Sequence, residues 1–257
     1  GGDSVTFPAT DNGFPDDPTE FTANGAVIAG CEAVPAVFNS GLGIYTHDCI
    51  TSALAVGSHT IAATQTGATV NMTGNPQVVC ANAITVTNAN DSGAGSLRQA
   101  MLNVCSGGAI DFDANYTIML GSQLPAVTSQ ITITGNGAAN TIIDGAGAYR
   151  VFEVSGAAGN LTLDSLTVQN SNVADSGGGV YNHASGTLTV IDSVFASNTA
   201  WEGGAIAQSN GTATITRSAF IGNGAGNNGG AIYNADGSTL TVANSTLSGG
   251  SSDALAR

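Results

Sequence analysis

The chain has 257 residues, is rich in Gly (36), and is poor in aromatic (5%) and charged (9%) residues; its formal net charge of −14 sets 18 acidic side chains against four arginines and no lysine. That balance offers no electrostatic footprint for nucleic acid or an anionic membrane surface, so both are excluded as partners. No run of 18 apolar residues occurs, so no membrane-inserted helix is expected, and the length fits one or two domains.

Residues 1–80 form the first expected domain. SVTFPAT, DPTEFTANG, AVIAGCEAV, GIYTHDCIT, SHTIAAT and NPQVV read as alternating strands with turns between them, a spacing that suggests a β-sandwich. The chain opens at Gly1-Gly2-Asp3 without Met, which points to a processed or trimmed product. The four cysteines are even in number and lack metal spacing such as CxxC. Disulfides fit best, with Cys31–Cys49 and Cys80–Cys105 preferred among three pairings and buried free thiols as the alternative. GDSVTFPAT, followed by GCEAV and THDCITSALAVGSHTIAAT, resembles a bacterial immunoglobulin-like repeat domain, and AVGSHTIAAT carries most of the likeness. The resemblance implies an Ig-like sandwich in which His59 is structural. Such domains usually have one more strand before GDSVTF; its absence here implies unpaired backbone open to another chain.

Residues 81–257 form the second expected domain. AITVTNANDSGAGSL reads as a strand and a Gly-rich turn, after which Ser96 can N-cap the only expected helix, about 96–105. Leu97, Ala100, Met101 and Val104 fall on one helical face. TVTNANDSGAGSLRQAML resembles the opening segment of many secreted β-helix proteins, which implies a helix that plugs the first coil. Irregular coils are expected over 107–154 and regular ones over 151–250.

The regular part is a repeat: GGVYNHASGTLTVIDSVFASN, GGAIAQSNGTATITRSAFIGN and GGAIYNADGSTLTVANSTLSG follow one another at steps of about 25 residues. Each unit holds three short strands separated by turn residues and no 3.6-residue periodicity, so the expected fold is all-β, a parallel β-helix with three strands per coil. Equivalent residues of stacked coils lie about 4.8 Å apart. The expected apolar columns are Val180, Ile206 and Ile232; Val190, Ile215 and Val242; and Phe195, Phe220 and Leu247. Asn170, Asn198 and Asn223 are expected to form a column of stacked amides, and Asp192 and Arg217 an exposed cross-coil ion pair. The GGAI…FxxN pattern resembles the repeats of bacterial polymorphic outer-membrane and surface β-helix proteins, which implies a right-handed β-helix and a cell-surface location.

The best catalytic candidate is Asp164 and Asp192 on adjacent coils with Arg217 beyond, a carboxylate–arginine trio of the type used by pectate-type lyases; a turn column whose charges pair is the favoured reading. Asp111 and Asp113 alternate on one strand and fit two solvated carboxylates. Glu153 and Glu202 have no partner visible in the sequence, and His47, His59 and His183 stand in separate contexts. No metal ligands, cofactor or catalytic residues are assigned. The reading is a secreted, non-enzymatic structural protein that self-associates head-to-tail through its chain ends in a surface fibre or layer. The alternatives are an adhesin that binds a surface glycan or host ligand around Tyr181, Trp201 and Tyr233, and a polysaccharide lyase or hydrolase.

Overall fold

The computed structural model describes residues 5–11, 18–40, 44–52, 54, 57–59, 61–64, 71–72, 77–251 and 255–256. The chain divides into two compact units, Gly1–Ala81 and Asn82–Arg257.

In the first unit the described strands pair antiparallel. Ile44–Thr51 lies between Val5–Asp11 and Val37–Asn39, and Asn71–Met72 pairs on the far side of Val5–Asp11. A three-stranded sheet (Ala26–Val27, Glu20–Ala23, Ile61–Thr64) and the pair Gly57–His59 with Gln77–Val79 make up the rest. Strand alternation turns Phe7, Ala9, Phe21, Cys49 and Ile61 inward, and these pack with Ile28 and Cys31 as one core. Cys31 and Cys49 form a disulfide across 18 residues; Cys80 and Cys105 are also disulfide-bonded, so no cysteine is free. On the side of Val5–Asp11 away from Ile44–Thr51, Asn71 and Met72 pair with Thr10 and Ala9. Among the described residues the edges of that sheet are Val37–Asn39 and Asn71–Met72.

The second unit is a parallel β-solenoid of three sheets with seven, six and five strands. The first sheet ends with Gln130–Thr134, Asn160–Asp164, Thr187–Ile191, Thr212–Thr216 and Thr239–Ala243; the second with Thr167–Gln169, Val194–Ala196, Ala219–Ile221 and Thr246–Ser248. The third contains Phe152–Ser155, Val180–His183, Ile206–Ser209, Ile232–Asn234 and Leu255–Ala256. The alternation x-apolar-x-apolar-x of each first-sheet strand fixes which side faces the core: Leu188 and Val190 are fully buried, while Thr187, Thr189 and Ile191 face outward.

Between strands the chain must turn sharply, and the turns use left-handed backbone. Ser165, Asp192, Arg217 and Asn244 take φ of 58°, 48°, 49° and 53° at one corner of successive coils; Asn170, Ser197, Gly222 and Gly249 do so at the next. Asn, Asp and Ser tolerate this conformation because their short polar side chains bond locally. The Gly-Gly pairs have a stricter reason. Gly203 has φ of 61°, and a Cβ there would collide with the Ile206 carbonyl; a Cβ on Gly204 would meet the carbonyls of Gly224 and Gly230 in the coil above.

The stacking register gives Val180, Ile206 and Ile232 as one column, all fully buried. Val190, Ile215 and Val242 form another, but Val242 is 37% exposed because no strand covers Thr239–Ala243 among the described residues. Phe195 and Phe220 stack at 5.0 Å with ring planes 8° apart, with Leu247, only partly buried, above them. The residue beneath Phe195 is Val168.

At the other end of this core sits the helix Leu97–Asn103. Ser96 is its N-cap, its side chain accepting from the Gln99 N–H at 3.2 Å. Leu97, Ala100 and Met101 are buried in the same core cluster as the coils. Arg98 fixes the helix from outside: Nη2 meets Asp91 Oδ1 at 2.6 Å and Ser122 O at 2.8 Å, and Nη1 donates to Gln123 O at 2.6 Å. The phenyl stack generates a prediction. Phe220→Ala, which opens a cavity between two packed layers, should lower the unfolding free energy by about 3–5 kcal/mol in urea titrations.

Candidate functional site

The polar side chains at the coil interior and corners bond from coil to coil. Asn182, Gln208 and Asn234 occupy one register position in the interior of the third sheet. Asn182 Nδ2 donates to Gln208 Oε1 at 2.9 Å, and Gln208 Nε2 to Asn234 Oδ1 at 2.8 Å. At a corner, Ser193, Ser218 and Ser245 form a hydroxyl ladder. Each Oγ donates to the carbonyl two residues earlier and accepts a backbone N–H from the coil below, at 3.1–3.3 Å.

Asn198 and Asn223 are buried and linked, Asn198 Nδ2 donating to Asn223 Oδ1 at 3.0 Å. Asn170 does not stand in their column. Register places Asn170 under Ser197 and Ser171 under Asn198, and the Ser171 N–H donates to Asn198 Oδ1 at 3.2 Å. Asn170 is the exposed left-handed corner residue, its amide donating to Asp144 Oδ2 at 2.8 Å. The same one-residue offset removes Asp164 from the Asp192 position: Asp164 pairs in register with Ile191, and its Oδ1 accepts from Ser165 Oγ.

The densest ionisable cluster spans the outer side of the third sheet. Arg150 is buried; its Nε donates to Gly177 O at 3.1 Å, and Nη2 to Ser176 O at 2.8 Å and Asp175 Oδ2 at 3.2 Å. Its guanidinium carbon lies 5.1 Å from the centre of the Tyr181 ring, within cation–π range. The Tyr181 ring also stacks on His183 at 4.5 Å. His183 Nε2 lies 3.0 Å from Glu153 Oε1, while Gln123 Nε2 donates to Glu153 Oε2 at 2.8 Å and Arg150 Nη1 sits 3.4 Å from the same oxygen. Sequence reading missed this cluster, since both Gln123 and His183 lie 30 residues from Glu153.

These environments set the chemistry. Partial burial pushes the Glu153 carboxyl up, but the hydrogen bonds from His183 and Gln123 and the charge of Arg150 outweigh it, leaving it below its usual value. A glycosidic proton donor needs the opposite shift. Asp192 is held low by hydrogen bonds from Arg217 Nε and Nη2, at 2.8 and 2.7 Å, and Arg217 is raised in return, away from any role as a base. The Asp113 carboxylate accepts from the Tyr116 hydroxyl, and Asp111 is exposed. His47 donates from Nδ1 to Val34 O at 3.2 Å, and His59 Nδ1 faces Asn24 Nδ2 at 3.4 Å. Trp201 is 54% exposed over Gly226, and Glu202 accepts from Asn227. Among the described residues no group of three or more His, Cys, Asp or Glu side chains is placed to hold a metal ion.

The outer face of the first sheet has a different character. Register aligns Thr132, Thr162, Thr189, Thr214 and Thr241 in one column. Beside it run Gln130, Asn160, Thr187, Thr212 and Thr239, and on the other side Thr134, Asp164, Ile191, Thr216 and Ala243. The signal was available as Thr-x-Thr at 187–189, 212–214 and 239–241, one pair per repeat.

No family model, curated protein or solved structure matches this chain. No described helix is long and apolar enough to cross a membrane.

The Glu153 cluster has a pH signature. A carboxyl whose folded value lies below its unfolded one stabilises the fold above the unfolded value, and this is lost as pH falls through the folded value. The melting temperature of the parent chain should therefore exceed that of Glu153→Gln near neutrality, and the gap should close as pH drops below the ordinary Glu value of about 4.3. A gap that persists unchanged at pH 2 would contradict the assignment.

Proposed function

We propose that this chain is an extracytoplasmic structural protein whose solenoid serves as a stiff segment of a surface fibre or layer. The observation that carries the reading is the direction in which its polar side chains bond: amides, hydroxyls and the Asp192–Arg217 pair run from coil to coil and tie the stack together. Two disulfides suit an oxidising compartment, and the GGAI and FxxN repeats resemble those of bacterial surface β-helix proteins.

Association would proceed head-to-tail. The last complete coil presents Leu240 and Val242 in a cavity of about 540 Å³ lined also by residues 234–239, and Leu247 is only partly buried in the same coil. Thr239–Ala243 and Thr246–Ser248 are edge strands there among the described residues. The first unit offers a complementary edge, Val37–Asn39, with Val37 and Phe38 64% and 56% exposed. Pairing the Val37–Asn39 edge of one copy with the Thr239–Ala243 edge of the next would be a heterologous contact, the kind that builds filaments where the rotation between copies does not close a ring. Exposed Trp201 favours the adhesin as a second reading.

Negative-stain electron microscopy and light scattering on the purified chain test this. Fibres or concentration-dependent growth, suppressed by either Phe38→Asp or Val242→Asp, are the expected result. A monomer at high concentration would overturn self-association and move the glycan-binding reading forward.

A further inference from the structure

We propose that the outer face of the first sheet binds ice, holding an ordered layer of water on its threonine lattice. A single copy suffices, so the proposal stands apart from the association described above.

The face is a two-dimensional array. Along the solenoid axis the threonine column 132, 162, 189, 214, 241 repeats once per coil, a spacing of about 4.8 Å for hydrogen-bonded strands. Across it, the partners at 187, 212 and 239 stand two residues away along each strand, about 6.6 Å for a parallel sheet. Both repeats lie near the oxygen repeats of the prism face of hexagonal ice. Each threonine supplies a hydroxyl that can enter a water network and a methyl that keeps the neighbouring water caged. The five hydroxyls of the central column make no hydrogen bond to the protein among the described residues, so they are available to an external lattice. The β-branched side chains have few rotamers, and fully buried Leu188, Val190, Ala213 and Ile215 pack beneath them, so the array is pre-ordered and little entropy is lost on binding.

Charge and shape select the ligand. The chain carries −14 overall, yet the outward positions of its last three first-sheet strands are Thr, Ile and Ala alone. A neutral face suits a neutral lattice. No aromatic ring stands in these columns to stack on a sugar, and none of the large anchors that dominate protein interfaces is present. The other two outer faces lack any repeat of this kind: one aligns Met119, Asp144, Gln169 and Ala196, the other Glu153, Tyr181, Ala207 and Tyr233.

The test is thermal hysteresis of the full chain, with fluorescently labelled protein imaged on a single ice crystal. The expected result is a gap between melting and freezing points, faceted crystals and labelled prism faces. Thr214→Tyr, which raises a ring from the centre of the array, should erase the gap, whereas Thr246→Tyr on the second sheet should leave it unchanged, both variants being checked for parent-like circular dichroism. If Thr214→Tyr does not fold, the labelled parent chain alone decides. Folded parent protein that neither shapes nor coats ice overturns the proposal. So does a gap that survives in folded Thr214→Tyr, or retention on crystalline cellulose or chitin with none on ice.

Discussion

Asn182, Gln208 and Asn234 form a ladder of buried amides beside the aliphatic and phenyl side chains of the interior. An amide taken out of water without partners is destabilising by about 1–3 kcal/mol, so each rung depends on the next coil arriving in register. The apolar columns would tolerate a small slip in stacking, since leucine on isoleucine and leucine on valine are nearly equivalent contacts. The amides do not. A slip of two residues would keep the inward face inward and set Val190 on Ala213, still an apolar contact, but it would set Asn182 on Ile206, which offers its amide no partner. Hydrophobic burial therefore supplies most of the stabilisation, and the interior amides with the serine ladder specify the register.

Once the register is fixed, the surface follows from it. Alternation places Thr189 outward because Leu188 and Val190 face inward, and repetition at one coil per repeat turns a Thr-x-Thr tripeptide into a lattice. The Arg150–Glu153–His183 cluster arises from the same stacking: Glu153 lies directly beneath Tyr181, and His183 beside it reaches down across one coil boundary. Neither surface exists in a single repeat. Both are properties of the stack.

Much of the architecture was legible because the repeat states it. Gly-Gly pairs, LTV and TIT runs and the Phe195–Phe220 step identify coils, sheets and the inward phase without further input. The coil at 151–170 was harder. The expected Asn170–Asn198–Asn223 column matches LTLDSLTVQN to LTVIDSVFASN at its asparagine, and the shared Asn is a poor anchor because two adjacent corner positions both accept it, one for left-handed backbone and one for a buried amide. The register instead matches Val168 to Phe195. Glu153 was opaque for another reason: two of its partners, Gln123 and His183, lie 30 residues away on either side, so they do not fall on the repeat that organises the rest of the reading. The first unit was legible as strands, but which of them lie at an edge depends on non-local pairing that alternation does not encode.

The amide ladder also gives the solenoid a sense. Each bridging N–H points toward the C-terminal coil and each accepting oxygen toward the N-terminal one. On one side Asn182 Oδ1 faces Val154 with no donor among the described residues; on the other, Asn234 Nδ2 reaches Ser238 O only at 3.4 Å. The chain of side-chain dipoles thus runs parallel to the axis and adds head to tail, as peptide dipoles do along a helix. The two ends of the interior are chemically unlike: one ends in a bare acceptor, the other in a weakly engaged donor. A stack built this way is vectorial, and a coil laid on it in the reverse direction would set oxygen against oxygen or hydrogen against hydrogen.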